Sequence, residues 1–359
     1  MRRLGVSIYP EKSTKDEIFA YLTEAAKIGA SRIFSCLLSV PHDPALIKAD
    51  FIAIHDFAHK LGYEIILDVN PAVFQKLGIS YNDLSFFKDI HADGIRLDQG
   101  FGGFQEAMMT FNPFNLKIEL NLSNCTHMLE TIMDYQPDRS NLLACHNFYP
   151  HKFSGLTVDF LNRCTNVAAA YGLRTAAFIS CADGFGPWPT REGLPTLEIH
   201  RNLPIQVQAK HFVALGNIDD IIISNCYPTA AELKALAQVN LRQVNFSFKP
   251  VPQLPDLERS IVLDELHFKR GDVPAHMIRS SVSRIKYADR NFPLFNAPDV
   301  LKRGDVVIES SLYDTYAGEL QLVLQDMPNS GCSNVVGQVA PEEMFIADIL
   351  KPWQKFSFI

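Results

Sequence analysis

The chain has 359 residues, 47% hydrophobic and 20% charged, with a formal net charge of -7 at pH 7. That length suits a barrel of roughly 240 residues followed by a domain of about 120, and the composition is that of a soluble globular protein. Without a cluster of Lys and Arg, the acidic balance argues against nucleic acid as a partner, because neutralising phosphates needs such a cluster.

No uncharged run approaches the ~20 residues of a transmembrane helix, so membrane insertion is not expected. Met1-Arg2-Arg3-Leu4 leads straight into a strand, without the apolar core of a signal peptide, and the seven Cys include no Cys-x-x-Cys pair. Reduced thiols in a cytoplasmic protein are the expectation. The composition leaves oligomerisation open.

Eight short β-branched apolar runs start near residues 4, 32, 63, 93, 116, 142, 174 and 219, and each ends in polar residues. Every gap has room for a helix. The clearest helices are expected over 14–28, 45–61 and 204–215, with a last one over 230–238. Thr14 and Thr229 stand as N-caps, and Asp16 and Glu17 complement the first helix dipole. Parallel neighbouring strands need a crossover of helical length, so the pattern reads as an α/β fold, a (β/α)8 TIM barrel. The domains expected are a barrel over 1–240, a linker over 241–256 marked by Pro250, Pro252 and Pro255, and a small β-rich domain over 257–359. Strands are expected there at Ile261-Val262-Leu263, Val306-Val307-Ile308 and along 318–324, with turns at Gly271-Asp272 and Gly304-Asp305.

In such a barrel the strand C-termini carry the active site, and alternation decides which side chains point inward. Glu64, Asp68 and Asn70 share one parity in the third strand, Arg96 and Asp98 in the fourth, and Lys117, Glu119 and Asn121 in the fifth. Barrel interiors are normally filled with Val, Ile and Leu, and unpaired charges there cost several kcal/mol. One reading is a structural ion-pair network, such as Arg96–Glu119 or Lys117–Glu64, plugging the barrel bottom. The other has Asp68 and Asp98 facing the cleft as catalytic carboxylates, with Glu119 and Asp183 as further candidates. Paired carboxylates suit glycoside hydrolysis, one protonating the leaving oxygen and the other acting as base or nucleophile.

The sixth strand runs into His146-Asn147-Phe148-Tyr149-Pro150-His151, whose His, amide and aromatic groups suggest ligand contact. The loop after the seventh strand offers Phe185 and Trp188 to stack on a sugar face, and Arg201 follows as a bidentate partner for phosphate or carboxylate. In the second domain, Arg279, Tyr316, Glu319 and Asn334 suit a charged ligand, although such residues are also ordinary surface groups. No metal-ligand spacing, Gly-rich dinucleotide loop or P-loop is present, so neither metal nor cofactor is expected.

Several of these motifs occur together and in order: Ser7-Ile8-Tyr9-Pro10, Arg96-Leu97-Asp98-Gln99-Gly100-Phe101, His146-Asn147-Phe148-Tyr149-Pro150, Tyr316-Ala317-Gly318-Glu319-Leu320-Gln321 and Asn334-Val335-Val336-Gly337. Together they resemble the bacterial 6-phospho-N-acetylmuramidases over essentially the whole chain. The resemblance implies a cyclophilin-like C-terminal domain and hydrolysis of the β-1,4 bond in a 6-phosphorylated N-acetylmuramic acid–N-acetylglucosamine disaccharide, a step of peptidoglycan recycling. Its motifs support Asp98, His146, Asn147, Tyr149, Glu319 and Asn334 as site residues, and Tyr9 and Phe101 are further candidates for substrate contact. Two alternatives remain at this point: a sugar-phosphate lyase or isomerase on the same barrel, and a non-catalytic binder of phosphorylated carbohydrate.

Overall fold

The computed structural model describes residues 1–37, 44–189 and 191–359, and of 44–47 the backbone alone. The chain forms two compact units: 1–212 with 217–238, and 213–216 with 239–359. The first is a closed barrel of eight parallel strands in chain order. Its strands are β1 (Arg3–Ile8), β2 (Ala30–Cys36), β3 (Glu64–Val69), β4 (Gly94–Leu97), β5 (Lys117–Asn121), β6 (Leu142–Cys145), β7 (Arg174–Ile179) and β8 (Asp220–Ile223), and β8 closes onto β1. Helices α1 (Lys15–Lys27), α2 (Pro44–Lys60), α3 (Pro71–Leu77), α4 (Ser85–Asp89), α5 (Phe104–Met109), α6 (Met128–Asp134), α7 (Val158–Ala170), α8 (Ile205–Leu215) and α9 (Ala230–Ala237) fill the crossovers and follow β8.

Local chemistry fixes the element ends. Thr14 and Glu17 close a capping box on α1, and Thr229 and Glu232 close another on α9, each satisfying two otherwise orphaned backbone donors. Gly94 permits the close approach of β4 to its neighbours: a Cβ there would lie 2.5 Å from the Lys117 carbonyl oxygen and 2.8 Å from Ile66.

The barrel bottom is ionic, but its pairing differs from the one expected. Arg32 of β2, fully buried, binds both Glu119 and Asp220, the latter at 2.7 Å. Asp220 also takes Arg3 at 2.8 Å and Arg174 at 2.5 Å, while Glu64 pairs with Arg3 and Lys117 donates to Asn141. Neither Arg96–Glu119 nor Lys117–Glu64 forms. Glu119 takes Arg32, and Arg96 instead binds Asp68 and Asn147.

The second unit is β-rich. A five-stranded antiparallel sheet has the order β10 (Phe248–Pro250), β17 (Ser333–Val339), β14 (Asp305–Glu309), β15 (Leu320–Val323) and β12 (Met277–Ser280). A three-stranded sheet joins β11 (His267–Phe268), β18 (Lys355–Phe358) and β9 (Val244–Phe246), and β13 (Val300–Leu301) pairs with β16 (Met327–Pro328). Two expectations are corrected. Part of 241–256 is not linker: β9 and β10 lie within it and pair with β18 and β17. Ile261-Val262-Leu263 is not a strand but part of helix α10 (Asp256–Asp264), which buries Ile261 and Val262 and has Asp256 and Glu258 in its first turn.

Candidate active site

The upper ends of β2, β3, β4, β6 and β7 converge on a cavity of about 190 Å3. Cys36, Asp68, Arg96 and Asp98 form its polar wall together with Asn147. Phe148, Pro150, Phe178, Pro187 and Trp188 form an apolar one. Phe34 sits edge-on to both Phe148 and Phe178, at centroid distances of 5.9 and 5.1 Å, and those two are themselves 5.2 Å apart. This aromatic cluster gives the cavity a rigid, dry side.

Arg96 organises the polar wall. Its Nη1 lies 2.6 Å from Asp68 Oδ1 and 3.4 Å from Asp98 Oδ1, and its Nη2 donates to Asn147 Oδ1. Asp68 is buried, and burial pushes its carboxyl up to about 6 against the pull of Arg96. Arg96 is raised further above its already high range by the carboxylates beside it, against the cost of burial, and stays charged. The Asp98 side chain is 34% exposed, so it is the carboxylate that solvent or a ligand meets. Cys36 Sγ lies 4.0 Å from Asp68 Oδ2.

A second layer holds these groups in place. Asn121 donates to the Asp98 carbonyl at 2.9 Å and accepts from the Ser123 N–H at 2.9 Å. The Ser123 hydroxyl accepts from the Asn147 N–H at 2.7 Å. Tyr149 is half-buried beside Ser123 and Asn147, and burial raises its phenol. The loops after β6 and β7 are fastened by Arg201. It forks onto Glu198 through two bonds of 2.6 Å and donates to the carbonyls of Tyr149, His151, Glu192 and Gly193. All five guanidinium donors are therefore engaged within the protein.

The cavity thus brings together Asp68, Arg96, Asp98, Asn147 and Trp188 from the expected residues, with Asn121 and Tyr149 supporting them. Other expected residues lie elsewhere in the first unit. Glu119 is fully buried on Arg32, and Asp183 is exposed and does not line the cavity. Tyr9 is buried and donates to the Ser224 carbonyl at 2.5 Å. Asn70 caps α3 by accepting from Val73 N–H at 2.9 Å, and Phe101 packs edge-on against Phe74. His146 does not line the cavity: its Nε2 meets Thr165 Oγ1 of α7 at 2.8 Å, its Nδ1 lies 3.4 Å from Ser123 Oγ, and burial pushes the imidazole down to about 3, so it stays neutral.

In the second unit, Glu319 is fully buried between Arg279 at 2.6 Å and Arg284 at 3.1 Å, and both guanidinium carbons lie 5.3 Å from the Tyr316 ring centre. Asn334 is buried and structural in its bonds, accepting from the N–H groups of Phe295 and Asn296 and donating to the Pro293 carbonyl. Sequence reasoning passed over Cys36, Phe178 and Pro187, although strand parity places Cys36 with Arg32, and Phe178 with Ala176, on inward faces. Among the described residues no group of three or more His, Cys, Asp or Glu side chains could hold a metal ion, and no helix is long and apolar enough to cross a membrane.

Residues 4–238 match the family model described as 6-phospho-N-acetylmuramidase, N-terminal, and residues 244–359 match its C-terminal counterpart. The crystal structure of an uncharacterized B. cereus protein is 46% identical, with a TM-score of 0.92 over 100% of this chain and 99% of its own. A conserved Enterococcus faecalis protein of unknown function shares the fold at 22% identity and a TM-score of 0.73, over 99% and 96% of the two chains. No curated protein matches the chain.

Proposed function

Because the chain belongs to the 6-phospho-N-acetylmuramidase family and is a glycosidase, we propose that it hydrolyses the β-1,4 bond of a 6-phosphorylated N-acetylmuramic acid–N-acetylglucosamine disaccharide, in the cytoplasm, during peptidoglycan recycling. The observation that carries this reading is the carboxylate pair on one guanidinium nitrogen, with Asp68 buried and Asp98 open to the cavity.

The two environments suit two roles. Asp68, held up near 6 by burial, keeps a proton in mildly acidic conditions and donates it to the glycosidic oxygen as that oxygen leaves. Asp98 acts as the base or nucleophile at the anomeric carbon. Both oxygens reach the same Nη1 atom, so they lie within about 6 Å of each other, on the scale that separates paired glycosidase carboxylates. Arg96 stays charged throughout and offsets the negative charge left on Asp68 after proton donation. Trp188 and Phe148 offer ring faces to a sugar opposite these polar groups.

Arg201 is not the partner of the substrate's phosphate, since all of its donors already serve the loops. The second unit is read as cyclophilin-like in shape alone, without isomerase activity. Incubating the purified protein with the phosphorylated disaccharide tests the proposal. Release of both monosaccharides with one water added supports hydrolysis, whereas an unsaturated or rearranged product would replace it with a lyase or isomerase.

A further inference from the structure

Two of the seven cysteines meet on the flank of the barrel, in a place the proposed chemistry does not use. Cys125 is exposed in the loop after β5, and Cys164 is buried in α7. Both residues line one cavity of about 220 Å3, and the neighbouring Cys125 thiol, after burial, raises the Cys164 thiol. Cys226 also feels the charge of Cys181, but both are buried out of reach of a solvent oxidant. Cys125 and Cys164 therefore combine an accessible thiol with an adjacent protected one, the arrangement a reversible dithiol needs.

We propose that Cys125 and Cys164 form a peroxide-oxidisable dithiol whose disulfide shuts down the barrel cavity. The thiolate of Cys125 attacks hydrogen peroxide. The O–O bond breaks, an S–O bond forms, and the departing hydroxide takes up the proton that the Cys125 thiol had released and leaves as water, so sulfur is oxidised to the sulfenic acid while peroxide is reduced. The Cys164 thiol then attacks the Cys125 sulfur. The S–O bond breaks, the S–S bond forms, and the Cys164 proton leaves with the hydroxide as a second water. Cys125 meets the oxidant first because it is the exposed partner, while burial holds the Cys164 thiol up at about 12.

The link to the cavity is short. Cys125 follows Ser123 and Asn121, which hold the Asn147 N–H and the Asp98 carbonyl, and Cys164 precedes Thr165, which holds His146. A disulfide requires the sulfurs to close to about 2.05 Å. That closure draws the β5 loop toward α7 and pulls Asn121 and Ser123 with it. Displacements of about 1 Å in a positioning layer are enough to cost up to about 100-fold in rate. The regulatory half of this proposal rests on the function proposed above, whereas the covalent half does not.

The test treats the full chain with hydrogen peroxide and maps its peptides by mass spectrometry, with and without dithiothreitol. The expected result is a mass loss of two hydrogen atoms, in a peptide pair joining Cys125 to Cys164 that is absent in Cys125→Ser and Cys164→Ser. Disaccharide hydrolysis should fall at least about tenfold with the bridge and return on reduction. Cys125→Ser should keep its basal activity and resist peroxide. A sulfinate on Cys125 without a bridge, or a bridge elsewhere, overturns the site. A Cys125–Cys164 bridge with unchanged turnover overturns the regulation. Because the bridge is read by mass alone, failure to cleave the disaccharide counts against the proposed substrate and leaves this site standing or falling on its own.

Discussion

Asp68 Oδ1 lies 2.6 Å from Arg96 Nη1, and both side chains are buried in the cavity wall. Burial outweighs the attraction and lifts the Asp68 carboxyl from 3.8 to about 6. If Asp68 is the proton donor, turnover should fall as pH climbs through about 6, because the proton to be given is then already lost. A pH–rate profile of the wild type against Asp68→Asn checks this: the variant should lose about 100-fold or more in kcat and should show no limb near 6.

The same shift makes a stability prediction. The folded state holds the Asp68 proton more tightly than the unfolded chain, so this contribution is fully present below about pH 4 and is lost as pH rises through about 6. Its size is on the order of 3 kcal/mol. Urea unfolding across that window should show stability falling with pH in the wild type, and a flatter dependence in Asp68→Asn.

Trp188 is 49% exposed and lines the cavity. Its removal should therefore cost binding and not folding. Trp188→Ala should raise KM for the disaccharide about tenfold, the equivalent of 1.4 kcal/mol, with Tm unchanged. A large drop in Tm would instead show the ring to be part of the fold.

Arg32 bridges Glu119 and Asp220 with all three side chains buried. Asp220 keeps Arg3 and Arg174, but among the described residues Glu119 has no second ion pair. Arg32→Met should destabilise the protein by about 3–5 kcal/mol in urea unfolding, because a buried carboxylate is left without its cation. Turnover per folded molecule should change little in Glu119→Gln, which separates a structural Glu119 from a catalytic one.

The eight barrel strands were legible because each run of apolar residues recurs at the spacing of one crossover, and the caps at Thr14 and Thr229 because each has its Glu three residues on. Other features needed the third dimension. The inward face of β2 was hidden because only Arg32-Ile33-Phe34 stood out as a strand, while the element extends over Ala30–Cys36 and carries both Arg32 and Cys36 inward. Ile261-Val262-Leu263 suits a strand as a triplet, but Asp256 and Glu258 in the preceding turn and the burial of Ile261 and Val262 fit an amphipathic helix. Arg201 stands ready in the sequence to meet a ligand anion, and only folding shows that Glu198 and four carbonyls occupy it. His146 and Asn147 follow β6 as sequence neighbours yet take different partners, His146 Nε2 meeting Thr165 and Asn147 Oδ1 accepting from Arg96.

The most direct test of the central claim is product analysis by mass spectrometry with the 6-phosphorylated disaccharide, comparing the wild type with Asp98→Asn. The expected result is release of N-acetylmuramic acid 6-phosphate and N-acetylglucosamine by the wild type, with turnover reduced at least about a thousandfold in a folded Asp98→Asn. Intact disaccharide with the wild type, or near-full activity in Asp98→Asn, would contradict the account.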